Sequence, residues 1–461
     1  MYLCILIVFL PYLEKIMLRK IIGTFSTRVV CLFINLGIVV VTTKFGTTEF
    51  GTIGLFLLGV MLLQTLTAFA GAPSLLYLLP RFDNFQLLFL SYVFGIITNI
   101  LMCIVLYAIT VLSATNLIPR EFVGMLLLSS VFCSFYTINT QYFLSKEKIN
   151  LYNNFAILQW GLLAGFLLLF VFVFNQRDAS GYVNAYFLSY CISGVLSFAF
   201  LFKDVTFRGF SGIFSLLKKM LKFGFVIQIA NLAQLLNGRL SVYVIEFLVG
   251  RKPVGLYNFG TKFTEMIWLI PQSISSVQYA RIVNCKDDKA YAKKISLAFL
   301  KLAFIFSVIG ALVLSFFPDA WIGRIFRPEF IEAKRVFYAL GLGIVIFSGN
   351  IILSTYFAGF GKYKVNMTDS LIGLVTLAVF CLACIPWFKR ADYLNIIFIV
   401  GLITSLSYLS SFIYTFIRFA KDSNLKFSEL KIGKQDVFIL KREIKKIGRT
   451  VKRYSSFKRH H

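Results

Sequence analysis

The chain has 461 residues, of which 58% are hydrophobic and 15% charged, whereas a globular domain is about half apolar and about a quarter charged. A bilayer-spanning helix takes about 20 apolar residues, so the apolar inventory is enough for about twelve; a soluble enzyme, a disordered chain and a nucleic-acid-binding domain are excluded. The other departure is charge: 47 Lys+Arg against 20 Asp+Glu, a formal +27, whose meaning in a membrane protein depends on where along the chain it sits.

Residues 1–17 form an N-terminal extension. Tyr2–Leu13 is apolar but too short to span, and it lacks the basic start and small-residue cleavage site of a signal peptide. It reads either as an interfacial segment or as the product of a start codon upstream of Met17. Twelve spans follow, at about 18–42, 52–76, 87–113, 120–143, 152–174, 183–202, 223–249, 256–280, 295–317, 334–358, 369–388 and 394–418. The expected fold is an all-α polytopic membrane protein with about 12 transmembrane helices in two six-helix bundles around a central cavity. Its parts are an N-terminal bundle over 18–205, a connecting amphipathic helix over 206–222 containing Ile213–Lys222, a C-terminal bundle over 223–420 and a basic tail over 421–461. The longest loop on the outer side, Pro318–Ala333, is only about 16 residues and leaves no room for a catalytic domain.

Orientation follows from Lys and Arg. With both termini inside, the cytoplasmic segments hold 32 of them, the opposite loops 11 and the spans four. After Phe419 come 13 basic and 4 acidic residues. Val437, Leu440, Ile444, Ile447, Val451 and Tyr454 recur there at helical intervals, with Lys441, Arg442, Lys445, Lys446, Arg449, Lys452 and Arg453 on the other face. Such a helix suits the anionic inner leaflet, at about 1 kcal/mol per basic residue near the surface.

An internal repeat is visible. FGTTEFG (Phe45–Gly51) after span 1 and VGRKPVG (Val249–Gly255) after span 7 share an apolar-Gly-x-x-x-apolar-Gly pattern, offset by 204 residues. The glycines suit tight turns between helices. Six spans per half is an even number, so the halves share an orientation and are related by an axis along the membrane normal, with a cavity between them.

Chemistry-bearing residues are few. The only histidines, His460 and His461, lie at the end of the sequence, so a His relay, a His metal site and a Ser-His-Asp triad within the membrane are excluded. Cys381 and Cys384 stand in an apolar run and read as small helix residues. No metal, cofactor or catalytic residue is expected. An ionisable group at mid-bilayer costs at least about 2.5–3.5 kcal/mol, so it needs a partner or a wet cavity. Arg28 lies near the middle of span 1, with Asn35 on its face. Gln228, Arg239 and Glu246 fall within about 20° of one another around span 7, and span 8 carries Lys262 and Glu265. Arg28, Asn35, Gln228, Arg239 and Lys262 are therefore candidates for binding an anionic headgroup. Glu246 and Glu265 are coupling candidates or members of structural ion pairs, Lys262 with Glu265 and Arg239 with Glu246. Gly255, Gly260, Thr261 and Lys262 mimic a phosphate-binding loop with its last two residues reversed, at the start of a membrane helix, so ATP hydrolysis is not expected. Gly161 and Gly165 suggest close helix packing.

The run GRLSVYVIEFLVGRKPVGLYNFGTKFTEMIWLIPQSISSVQYARI (Gly238–Ile282) resembles the second half of bacterial polysaccharide transporters, within the multidrug/oligosaccharidyl-lipid/polysaccharide exporter superfamily. Leu18–Val30 and Lys44–Phe56 fit the first half. The resemblance implies translocation of an undecaprenyl-diphosphate-linked oligosaccharide from the cytoplasmic to the periplasmic leaflet of the bacterial inner membrane, for O-antigen, capsule or other surface polysaccharide. The expected partners are the lipid-linked oligosaccharide, the bilayer, polymerase or assembly proteins, and no nucleic acid. Many relatives carry an acid near the position of Asn237 and Arg239; here the nearest is Glu246, two turns on. Alternatives are a drug exporter, a flippase of the peptidoglycan lipid precursor and a membrane polysaccharide polymerase.

Overall fold

The computed structural model describes residues 23–24, 26–67, 84–112, 118–146, 148–203, 205, 213–283 and 288–430. The N-terminal extension, the amphipathic helix expected over 437–454, Cys4, Cys285 and both histidines lie outside the described residues. The helices of the first bundle are α1 (Ser26–Thr43), α2 (Thr47–Thr67), α3 (Asn84–Leu112), α4 (Val123–Ser145), α5 (Ile149–Phe172) and α6 (Ala179–Phe202). Those of the second are α7 (Ile213–Val249), α8 (Arg251–Met266), α9 (Leu269–Val283), α10 (Lys289–Ser315), α11 (Lys334–Gly359), α12 (Tyr363–Ala383) and α13 (Tyr393–Ser423). Eleven segments among the described residues are long and apolar enough to cross a membrane.

The expected twelfth, span 8, is not one helix. It breaks at Ile267 and Trp268 into α8 and α9, because Pro271 has no N–H and its ring crowds the carbonyl of Ile267. Ile213–Lys222 forms the opening turns of α7. There Leu216 and Met220 pack under the first bundle, against Leu87, Leu88, Tyr142 and Phe143, so α7 ties the two bundles together at that end.

With lipid outside, helices are drawn together by close packing and hydrogen bonds rather than by apolar burial. In the first bundle Gln64 Nε2 donates to the Ser130 carbonyl (2.7 Å) and to Ser134 Oγ (3.0 Å), and Asn99 Nδ2 also donates to Ser134 Oγ (3.0 Å). Asn139 Nδ2 joins α4 to α6 through Ser197 Oγ (2.8 Å). In the second, Gln278 Nε2 donates to Ser296 Oγ (2.8 Å) and the Ile352 carbonyl (3.0 Å). Gly161 and Gly165 do not mediate close packing. A Cβ at either would meet nothing within 4 Å, because Leu163, Leu167 and Val171 are the residues that α5 turns inward.

The repeat is realised in the backbone. Gly46 (φ 106°) and Gly250 (φ 83°) make the same left-handed turn, one into α2 and the other into α8, a conformation that glycine adopts without steric penalty. The two bundles meet where α2 and α8 cross at their first turns. A Cβ on Gly51 would stand 2.1 Å from the Arg251 carbonyl, and one on Gly255 1.9 Å from the Thr47 carbonyl. Only glycines permit this approach, which brings Cα–H groups to face carbonyl oxygens.

Candidate functional site

The hydrogen bonds and ion pairs joining the bundles gather around that crossing, at the end that the charge bias assigns to the outside. Arg251 reaches Glu121 (Nη1–Oε1 2.5 Å) and Thr52 Oγ1 (3.4 Å). Thr47 donates to Glu329 Oε2 through Oγ1 (3.1 Å), Lys44 donates to the Phe326 carbonyl, and Arg327 Nη1 donates to the Lys44 carbonyl (3.3 Å). Phe326 and Phe330, from the segment between α10 and α11, pack against Phe259, the first edge-on at 4.9 Å and the second tilted at 4.8 Å, and Phe50 from the first bundle meets Phe330 edge-on at 5.6 Å. This aromatic and ionic plug closes that end.

The expected intramembrane groups lie inward of the plug. Arg239 of α7 forms a two-pronged bond to Glu265 of α8, Nη1–Oε1 3.0 Å and Nη2–Oε2 3.0 Å, and each side chain keeps about a quarter of its surface accessible. That corrects the expected pairing. Glu265 is taken by Arg239, while Lys262, three residues earlier, lies 5.1 Å from the centroid of the Phe50 ring across the bundle interface, a cation–π distance. Glu246 is buried. Gln228 is buried too and accepts from Asn231 Nδ2 (3.2 Å). On α1, Arg28 is exposed and Asn35 half-buried. The 204-residue offset that relates the glycine turns also places Asn35 at the position equivalent to Arg239, so the two halves present unlike polar groups at matching depth.

Sequence reasoning missed Asp369. It stands first in the expected span 11, but α12 begins at Tyr363 and carries Asp369 nearly two turns inward. There it is 5% exposed, its Oδ2 accepts from Asn350 Nδ2 (2.8 Å), and its Oδ1 has no hydrogen-bond partner among the described residues. Ser411 Oγ caps its carbonyl (3.1 Å), and Ser407 Oγ donates to Asn237 Oδ1 (2.7 Å) close by. The readable signal was the run of small polar residues on α13 (Thr404, Ser407, Ser411 and Thr415), all buried. Such a stripe at helical spacing marks a buried polar face. Among the described residues no group of His, Cys, Asp and Glu could hold a metal ion, and Cys381 and Cys384 are free thiols.

Two helical bundles that cross at the glycines of α2 and α8 define a multi-pass membrane protein with the fold of MATE-type transporters and flippases. Residues 226–383 match the MatE family model. The fold is similar to the inward-closed conformation of the lipid II flippase MurJ (TM-score 0.67, 16% identity, 86% of each chain). It is also similar to an inward-facing multidrug resistance MATE family transporter of the MOP superfamily (TM-score 0.66, 14% identity, 87% of this chain and 98% of that one). In sequence, the chain is 28% identical over 178 residues to the capsular polysaccharide biosynthesis protein CapF of Staphylococcus aureus, covering 38% of this chain and 44% of CapF. The chain thus spans less than half the length of that curated relative.

Proposed function

We propose that this protein is a flippase that carries an undecaprenyl-diphosphate-linked oligosaccharide repeat unit between the leaflets of a bacterial inner membrane, by alternating access, for surface polysaccharide synthesis. The observation that carries the reading is the sign of the intramembrane charge. Its accessible part is basic: Arg28 is exposed and Arg239 partly accessible, which suits a diphosphate, whereas Glu246 and Asp369 are buried and Glu265 is engaged by Arg239. Guanidinium forks bind phosphate oxygens in a bidentate manner. The similarity to CapF supports a lipid-linked anionic cargo over an organic cation, for which an acidic surface would be expected.

In this mechanism the closed outer plug corresponds to the state that loads from the cytoplasmic leaflet. The diphosphate engages Arg28 and competes with Glu265 for Arg239, the glycan enters between the bundles, and the lipid tail stays in the bilayer. Exchanging the Glu265 carboxylate for the diphosphate keeps Arg239 paired throughout, which avoids leaving an uncompensated charge in the membrane. Surface glycan is the readout, in a deletion strain complemented with Arg28→Ala or Arg239→Lys at matched protein level. The expected outcome is loss of surface glycan in both; full glycan in both would overturn the assignment.

A further inference from the structure

A second charged recess lies away from the bundle interface, where α11 and α13 end and α12 begins. A cavity of about 320 Å³ is lined by Phe357, Lys362, Val365, Arg418, Lys421 and Asp422. Its one carboxylate is already engaged: Asp422 accepts from Tyr356 Oη (2.9 Å), is bound by Lys362, and has Lys289 Nζ at 3.8 Å. Lys362 is therefore held at the wall and neutralised. Arg418 and Lys421 have no ion-pair partner among the described residues and are exposed. The recess has a net positive charge and two unspent cations over an apolar floor of Phe357 and Val365.

Its surroundings set the ligand class. Ile413, Ile417 and Lys421 are spaced i, i+4, i+8 and so form one stripe along α13. Ile413 and Ile417 are 48% and 47% exposed in a segment apolar enough to span the bilayer, so that stripe faces lipid tails. At its end the stripe meets Lys421 and the recess. An apolar track ending in two unpaired cations matches the outline of a phospholipid, with a phosphodiester at the head and acyl chains alongside, as at basic pockets between membrane helices.

We propose that this recess binds the phosphodiester headgroup of an anionic phospholipid, whose acyl chain lies along Ile413 and Ile417. It is a site separate from the proposed cargo path, and its occupant is a membrane lipid rather than a soluble phosphate. A bound lipid would pin the ends of α11, α12 and α13 to one another and hold the second bundle at a fixed depth in the leaflet.

The test is native mass spectrometry of the detergent-purified full chain titrated with phosphatidylglycerol or phosphatidylcholine. Wild-type protein should retain phosphatidylglycerol at least about ten-fold more tightly. A basic residue near an anionic lipid surface contributes about 1 kcal/mol, which is about five-fold in affinity, so Arg418→Gln with Lys421→Gln should weaken phosphatidylglycerol about twenty-five-fold. Ile413→Ser with Ile417→Ser should weaken it while leaving all charges in place. Lys389→Gln with Arg390→Gln, exposed at the opposite end, should have no effect. Equal retention of the two lipids by wild type overturns the proposal, as does an unchanged affinity in the Arg418/Lys421 variant. Displacement of the lipid by millimolar inorganic phosphate, together with indifference to the isoleucine changes, would overturn the lipid assignment in favour of a free-phosphate site.

Discussion

Gly51 and Gly255 occupy equivalent places in the two halves and lie against each other, each aiming its missing side chain at the carbonyl four residues before the other, Arg251 for Gly51 and Thr47 for Gly255. The contact is self-complementary about the pseudo-twofold axis, as an isologous interface requires. It draws the plug closed, since no larger residue lets α2 and α8 cross so closely. Gly255→Ala places a methyl group where backbone atoms stand 1.9 Å away, and the helices must separate. The expected outcome is normal insertion and yield, but increased labelling of a Thr52→Cys reporter by a membrane-impermeant maleimide added from outside. Gly54→Ala, which would meet the movable end of Asn258 instead of backbone, should have a smaller effect. Equal labelling of parent and Gly255→Ala would show that the crossing does not seal the outer end.

The Arg251–Glu121 pair also crosses the interface, with side chains 26% and 44% accessible. At that exposure an ion pair is worth about 0.2–1 kcal/mol. Glu121→Gln should therefore shift the balance between closed and open outer ends only a few-fold, by the same labelling assay. The exchange Glu121→Arg with Arg251→Glu should return labelling to the parental level, whereas either single reversal should increase it.

Asp369 is a buried carboxylate in a membrane helix with one oxygen unsatisfied among the described residues. Intramembrane ionisable groups cost several kcal/mol and persist where function uses them. Asp369→Asn keeps the shape and a hydrogen-bonding partner for Asn350 while removing the capacity for charge. Retained fold and melting temperature with loss of surface glycan is the expected outcome. Undiminished glycan would assign Asp369 to packing alone.

Much of this was legible in the chain. FGTTEFG and VGRKPVG announced two halves, and the halves meet at those very glycines, because the residue that permits a left-handed turn at Gly46 and Gly250 also recurs five residues on, where backbones touch. Span count was legible because apolar length is a one-dimensional property; the break after Met266 was not, since Pro271 stands in a run whose hydropathy continues through it. Pair identity was least legible. Helical spacing put Lys262 beside Glu265 on one helix, but the choice of partner was made between helices, where Arg239 could offer two donors and Phe50 a ring. Asp369 went unread because a residue at an assumed span boundary looks solvated until the helix is seen to begin nearly two turns earlier.

The Arg239–Glu265 pair separates a staple from a binding group. If its only work is to hold α7 against α8, reversing it as Arg239→Glu with Glu265→Arg keeps both charges and both helices joined, and transport should survive. If Arg239 also meets the cargo, the reversal moves the cation to α8 and turns a carboxylate toward a diphosphate, which repels it. Breaking one partner of such a pair within the membrane destabilises by about 3–5 kcal/mol, so Arg239→Glu alone should lower both yield and melting temperature, and the exchange should restore them. The expected outcome is restored stability without restored surface glycan. Recovery of both would reduce Arg239 to a structural role and leave Arg28 as the remaining intramembrane arginine for an anionic headgroup.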